Sequence, residues 1–455
     1  PLINFLKGTE MLNKYPVLKK EYIIRKFNTE EGEKIVLYGI YDKSVRIGLN
    51  KDALFIVKHF TGEHSVEDIV NKIVTEYHIN RDNAFKSLNN ILAQLKNKEI
   101  IFFNENRRPE YKFPDFPEIR GILNQVYIRL TNACNLKCRH CSVDAGYKLK
   151  DELNKEEIFD LIDQLYNMMV PSVTFTGGEP TLVNYLPELV KYTSYKPIKV
   201  YLMTNGFRVN KQYAELLVRN GLVHVNISLD GANAESHDTF RGVKGSFKKA
   251  IEAIRLFKKL GIYVETTTVI HDQNSSEVID IVNLGKFLRV DNMKFLPITP
   301  FKRGKNCNFE NSLIHYTNNL RNFLYAYNNI YNKLVKKNLK ERLEKENLFR
   351  CGAGMGVIAI SSNGDVFPCN NLENIILGNI RSQKLIEIYN NSSRLEDAFN
   401  AISVRNSECE ACEILDYCHG GCAMLAYTYN GDYKKCDITR KPYIIELMKD
   451  QGGEK

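Results

Sequence analysis

Three cysteines, Cys134, Cys138 and Cys141, fall in the stretch T-N-A-C-N-L-K-C-R-H-C that runs from Thr131 to Cys141. Loop thiolates at this spacing can hold three irons of a cubic iron–sulfur cluster and leave the fourth iron to an exchangeable ligand. Structural zinc is the alternative, but zinc closes a tetrahedron and usually draws on paired C-x2-C halves. No fourth cysteine lies nearby. The stretch is therefore read as an iron–sulfur centre with one open iron.

A second concentration lies near the C-terminus: Cys351, twelve residues, Gly364, four residues, Cys369, then Cys409-x2-Cys412-x5-Cys418-x3-Cys422-x13-Cys436. The chain has 11 cysteines, none before Cys134, with Cys307 standing alone between the two groups. Such clustering argues for metal binding rather than scattered core thiols or disulfides.

These groups need elements to hold them. At 455 residues with 44% apolar content, the chain is expected to build two or three domains. The stretch 21–49 alternates apolar and polar residues, with Asp42-Lys43 as a turn, and reads as a small antiparallel meander. Three helices follow, each behind a capping residue: Asn50 before 51–60, Ser65 before 66–77 and Asn80 before 81–96. Ile100-Ile101-Phe102-Phe103 closes the unit as a strand, which predicts a winged helix-turn-helix module over 1–104. The module's last helix carries only Arg81, Lys86 and Lys96, a thin footprint for phosphate contacts. A proline-bearing linker spans 105–121.

From 122 to 300 strands and helices alternate. Strands are expected at 125–130, 173–176, 198–203, 223–228, 263–269 and 292–296, with helices at 155–169, 185–195, 210–219, 246–260 and 275–288. Repeated βα units pair in parallel and place chemistry at the strand ends. There stand the first cysteines, Gly177-Gly178-Glu179-Pro180, Thr204-Asn205-Gly206 and Ser228-Leu229-Asp230-Gly231. A basic, tyrosine-rich bridge with a long helix from Leu313 to Lys337 occupies 301–350, and the cysteine array fills 351–455.

The spacing C-x3-C-x2-C, with His140 where an aromatic usually stands, resembles the radical S-adenosylmethionine (radical SAM) superfamily. That resemblance implies a partial (β/α)6 barrel in which Cys134, Cys138 and Cys141 hold the catalytic [4Fe–4S] cluster. Gly177, Gly178 and Glu179 would receive the amino group of S-adenosylmethionine, and His140 and Asn205 would lie beside the cofactor. Ser228 and Asp230 suit a ribose, and Arg241 matches a position used near the carboxylate. The C-terminal array resembles the SPASM region, which implies two auxiliary [4Fe–4S] clusters and three in all. Cys409, Cys412, Cys418 and Cys436 would hold the outer one completely. Cys351, Cys369 and Cys422 would hold the inner one, completed by Cys307 or left open for a substrate cysteine. Asn370 stands where sulfatase-maturing relatives carry an aspartate base, and an amide cannot take that proton.

The N-terminal module resembles a peptide-recognition domain that takes up a leader peptide as an added strand. The whole chain thus resembles maturases that join cysteine sulfur to carbon in ribosomally made peptides, among them those acting on precursors with six cysteines in forty-five residues. It implies a 5′-deoxyadenosyl radical, a cysteine-rich precursor with a leader, and an external flavodoxin- or ferredoxin-type electron donor. The rival readings are epimerisation or carbon–carbon crosslinking on the same scaffold and, more remotely, an iron–sulfur DNA-binding regulator. No nucleic-acid or membrane partner is expected. The start of the sequence has no charged-then-apolar export pattern, and no run of about twenty apolar residues occurs, so a cytoplasmic protein is expected.

Overall fold

The computed structural model describes residues 11–29, 32–39, 46–110, 119–121, 123–299, 301–319, 351–412, 414–442 and 445. The chain divides into two units, one of residues 1–122 with 163–171 and 196–198, the other holding the rest.

In the first unit, β1 (Tyr15–Leu18) precedes a meander of β2 (Tyr22–Thr29), β3 (Gly32–Gly39) and β4 (Arg46–Leu49), antiparallel in the order β2-β3-β4. The expected turn at Asp42-Lys43 lies outside the described residues. Three helices follow: α1 (Lys51–Val57), α2 (Val66–Tyr77) and α3 (Arg81–Asn97). Each begins where its capping residue demands. The Asn50 side chain accepts from the Ala53 amide, Asn80 from that of Asn83, and Ser65 forms a reciprocal capping box with Asp68. Val66, Ile69, Val70 and Ile73 bury one face of α2, and Ala84, Leu88, Leu92 and Leu95 one face of α3, around a core that includes Ile24, Leu37 and Phe60. The closing strand β5 (Ile101–Asn104) pairs with β1, in register from Tyr15 opposite Asn104 to Leu18 opposite Ile101, and not with the meander.

The second unit is built on a nine-stranded sheet. Six parallel strands stand in sequence order: β6 (Gln125–Arg129), β7 (Ser172–Thr176), β8 (Lys199–Thr204), β9 (Leu222–Ser228), β10 (Tyr263–Ile270) and β11 (Asn292–Pro297). Between them run α4 (Lys155–Asn167), α5 (Leu186–Tyr195), α6 (Lys211–Arg219), α7 (Ala234–Arg241), α8 (Ser246–Lys259) and α9 (Val278–Phe287). All five residues of β7 are buried, as expected of a parallel strand covered on both faces.

Two features depart from expectation. The sheet does not stop at β6: β12 (Val357–Ile360) joins its free edge in parallel, Val357 opposite Gln125 and Ile360 opposite Ile128, and β13 (Asp365–Phe367) and β14 (Gly378–Asn379) continue it antiparallel. The extra helix α7 starts on Asn233, whose side chain accepts from the Glu235 and Ser236 amides, and stops at Gly242 in the left-handed region.

Of the expected helix 313–337, only the start falls among the described residues, where α10 spans Phe309–Asn318. The remaining helices are α11 (Leu385–Asn391), α12 (Leu395–Ile402), the single turn α13 (Leu415–Cys418) and α14 (Ala423–Asn430). Among the described residues no helix is long and apolar enough to cross a membrane.

Candidate active site at the strand ends

The loop after β6 is fastened by its own backbone. The Cys134 amide donates to the Gly146 carbonyl and the Gly146 amide to that of Asn132, each at 2.9 Å. The Lys137 and Arg139 amides donate to the Arg241 and Phe240 carbonyls at the end of α7, each at 3.1 Å. Gly177 and Gly178 press against the same loop. A Cβ at Gly178 would meet the Ala133 carbonyl oxygen at 2.2 Å, and one at Gly177 the Thr131 oxygen at 2.5 Å. Close approach requires glycine at both positions, and at Gly177 a φ of +152° requires it as well.

The thiols of Cys134, Cys138 and Cys141 open into a cavity of about 290 Å³ at the strand ends. Burial pushes the Cys134 thiol up to about 11 and also raises that of Cys138. Each sulfur nevertheless faces a donor. The Leu136 amide lies 3.5 Å from Cys134 Sγ, the Ala145 amide 3.3 Å from Cys141 Sγ, and Arg241 Nη1 3.6 Å from Cys138 Sγ.

Of the side chains expected beside a cofactor, His140, Asn205, Ser228 and Arg241 line this cavity, together with Gly177 and Gly178. Glu179 and Asp230 are not among its lining residues. Glu179 is fully buried, and its carboxylate accepts from the Thr181 amide and hydroxyl, the Thr204 hydroxyl and the Asn205 amide. It ties the turn after β7 to the end of β8. Burial raises its pKa against those hydrogen bonds.

Asp230 is also fully buried; Oδ1 accepts from the Val269 amide at 2.7 Å and Oδ2 lies 2.5 Å from Arg241 Nε. Burial opposes its ionisation, yet the Arg241 guanidinium holds the carboxyl below its ordinary value. Both carboxylates have protein partners from other strands and loops, which sequence order does not reveal, but Asp230 Oδ2 makes its ion pair with Arg241 without a hydrogen bond. His140 stacks on Phe240 at 4.4 Å, and Phe240 stacks on His271 at 3.7 Å. Burial drives the His140 imidazole down to about 3, so it is neutral at ordinary pH.

Several lining residues escaped the sequence reading, among them Arg129, Glu373 and Arg303. Arg129, at the end of β6, donates to the Asn370 carbonyl at 2.9 Å, to Asn370 Oδ1 at 3.1 Å and to Glu373 Oε1 at 2.5 Å. Asn371 and Met424 also line the cavity, so residues within two positions of Cys369 and Cys422 face the space that holds Cys134. Arg303 donates to the Ala145 carbonyl at 2.7 Å and lies 3.2 Å from Asp144 Oδ1.

The C-terminal cysteines sort into two neighbourhoods. Cys369 and Cys422 pack against Ala353, Leu372, Ile402, Ala423 and Met424. Burial pushes Cys369 up to about 11 and Cys422 up to about 12, and Asp437, Cys369 and Cys351 add to the latter. Cys412 and Cys418 instead pack with Ile270, Phe295 and Ile414. Burial raises Cys436, with Cys409 and Cys412 among its charged neighbours, and it lifts Cys418 to about 11, with Cys436 nearby. The Cys307 thiol donates to the Arg139 carbonyl of the first loop at 3.6 Å. Among the described residues no three His, Cys, Asp or Glu side chains converge tightly enough to ligate one metal ion.

Comparison with known proteins agrees with this layout. Residues 128–285 match the Radical SAM superfamily, residues 351–413 the iron-sulfur cluster-binding SPASM domain, and residues 39–101 coenzyme PQQ synthesis protein D (PqqD). An AdoMet-dependent heme synthase of Methanosarcina barkeri is 30% identical over 70% of this chain and 94% of its own length. The chain belongs to the radical SAM superfamily. The antilisterial bacteriocin subtilosin biosynthesis protein AlbA of Bacillus subtilis is 28% identical over 88% of this chain and 90% of its own. Among solved structures, Streptococcus suis SuiB bound to its precursor peptide SuiA superposes with a TM-score of 0.62 at 17% identity, covering 93% of this chain and 98% of that one.

The residues fit the chemistry this family implies. Three soft thiols surround one cavity mouth, glycine backbone comes within reach of it, and the buried Asn135 Nδ2 beside Cys134 has no partner among the described residues.

Proposed function

We propose that this protein is a peptide maturase that forms a thioether between a cysteine sulfur and an unactivated carbon of a ribosomally made precursor. S-adenosylmethionine and a [4Fe–4S] centre would supply a 5′-deoxyadenosyl radical able to remove hydrogen from such a carbon. The protein's own part is placement. Cys134, Cys138 and Cys141 hold the centre, and Gly177, Gly178, Asn205 and Ser228 cradle the cofactor. Glu179 fixes the turn that presents them, and Arg241 reaches Cys138 Sγ. The Arg129–Glu373 pair and Asn370 would help position what the cavity holds.

One observation carries the reading: residues within two positions of Cys369 and Cys422 line the radical cavity. With Cys351 they make a second three-thiol set, and a soft centre held there would prefer a substrate thiolate as its remaining ligand. Cys409, Cys412, Cys418 and Cys436 would hold a third centre. Residues 1–104 would act as the leader-binding domain, with the leader adding to β2 or β4, the edges of the three-stranded sheet. The PqqD match and the peptide-bound SuiB support that role.

The heme synthase similarity favours a second reading, a tetrapyrrole substrate whose carboxylates meet the cavity arginines. Against it, Arg129, Arg241 and Arg303 already face Glu373, Asp230 and Asp144. The test is anaerobic incubation with S-adenosylmethionine, dithionite and the cysteine-rich peptide encoded beside the gene. Loss of two hydrogens and one alkylatable thiol is the expected product. An unchanged mass with an inverted residue, or a loss of two hydrogens with all thiols free, would replace thioether formation by epimerisation or carbon–carbon crosslinking.

A further inference from the structure

The three thiols of the first loop differ in what faces them. Among the described residues Cys134 has a backbone amide, Cys138 has Arg241, and Cys141 has the amide of Ala145, whose carbonyl anchors Arg303. Arg303 is anchored on the carbonyl of Ala145, the residue whose amide reaches Cys141 Sγ. We propose that Arg303, with Arg241 as a weaker partner, sets how readily the centre held by Cys134, Cys138 and Cys141 accepts an electron. The proposal rests on the family's placement of that centre.

Taking up an electron adds negative charge at the thiolates. Fixed positive charge or N–H donors at sulfur stabilise the reduced form and raise its potential. The two arginines are not equal in this respect. Arg241 is paired with Asp230, whose side chain is 0% exposed, so little of its charge is left uncompensated at the centre. The partner of Arg303 is Asp144, whose side chain is 63% exposed. Water screens that carboxylate, and surface pairs of this kind couple weakly. The Arg303 guanidinium, 28% exposed and inside the cavity wall, therefore keeps more of its field directed at Cys141. The unequal counter-charges thus predict that the more exposed arginine is the more influential one.

The test is an EPR-monitored redox titration of the full chain, reconstituted with iron and sulfide under anaerobic conditions. The signal followed is the one that shifts when S-adenosylmethionine is added, which separates this centre from the others. In Arg303→Gln the ratio of reduced to oxidised centre at a fixed applied potential should fall about tenfold, equivalent to about 59 mV for one electron. Arg303→Lys, which keeps the charge, should recover most of that loss at unchanged iron content. A midpoint in Arg303→Gln equal to that of the unaltered protein would overturn the proposal, as would a lysine variant no better than the glutamine one. If the unaltered protein shows no S-adenosylmethionine-sensitive signal, the placement of the centre fails, and the proposed function fails with it.

Discussion

The first cysteine loop and the inner array group, Cys351, Cys369 and Cys422, each offer three thiols, yet a guanidinium touches sulfur in the first, at Cys138, while two thiols of the second pack among apolar side chains. The loop faces the guanidiniums of Arg241 and Arg303 and is clamped by backbone on α7 and on the Gly177-Gly178 turn. Cys369 and Cys422 of the inner group sit in an apolar cluster with Arg129 near Cys369, while Cys351 is exposed; Cys369 Sγ accepts from the Asn371 amide at 3.4 Å and the Asp437 carboxylate accepts from the Cys422 amide at 2.8 Å. Positive surroundings favour electron uptake, and apolar or negative ones oppose it. One sequence device, three spaced cysteines, thus stands in two different settings, and the proposed function gives each set a different task.

Replacing Cys138 with alanine strikes the loop and should have the largest effect, complete loss of 5′-deoxyadenosine by liquid chromatography. Retained cleavage would erase the distinction between the two groups. Cys422→Ala should leave that cleavage measurable while abolishing the crosslinked peptide and lowering bound iron by about one cube. If it abolished cleavage as well, the inner group would be part of the radical source.

Gly178→Ala drives a methyl into the Ala133 carbonyl. A shift of about 1 Å in the loop would slow cleavage on the order of a hundredfold, at a stability cost of about 1–3 kcal/mol. The smallest effect concerns acid. His237 accepts from the Asp230 amide at 3.1 Å, and burial holds its imidazole near 4 against an ordinary 6.5. Below pH 6.5 the unfolded chain takes up a proton that the folded one refuses until about 4, so stability falls across that window. His237→Asn, which keeps an acceptor but does not titrate, should flatten the fall of Tm between pH 6.5 and 4.5 by a few degrees, at about 2–4 °C per kcal/mol.

Much of this was legible in the sequence because it is local. Asn50, Ser65 and Asn80 announce helices by side-chain caps a few residues long, and the six barrel strands are short apolar runs bounded by turn residues. The four residues of β1 and of β12 are too short for periodicity to register, and what makes them strands is a partner far away, Ile101–Asn104 and Gln125–Ile128. The cavity's polar wall was invisible for the same reason. Arg129 and Glu373 are 244 positions apart, and nothing near either one predicts the other. Glu179 and Asp230 show the same limit: their positions in the chain suggest a cofactor contact, and their bonds to Thr204 and Arg241 could not be read from the sequence.

The pairing of β12 with β6 bears on how such proteins can be divided. The strand that launches the radical loop has β7 on one side and the first strand of the cysteine array on the other. A chain cut before Cys351 would bare that edge of β6, an unpaired ladder beside Val126 and Ile128, and would invite aggregation. The two halves of the chemistry therefore share a backbone ladder, and neither is a module that can be lifted out with the other left whole.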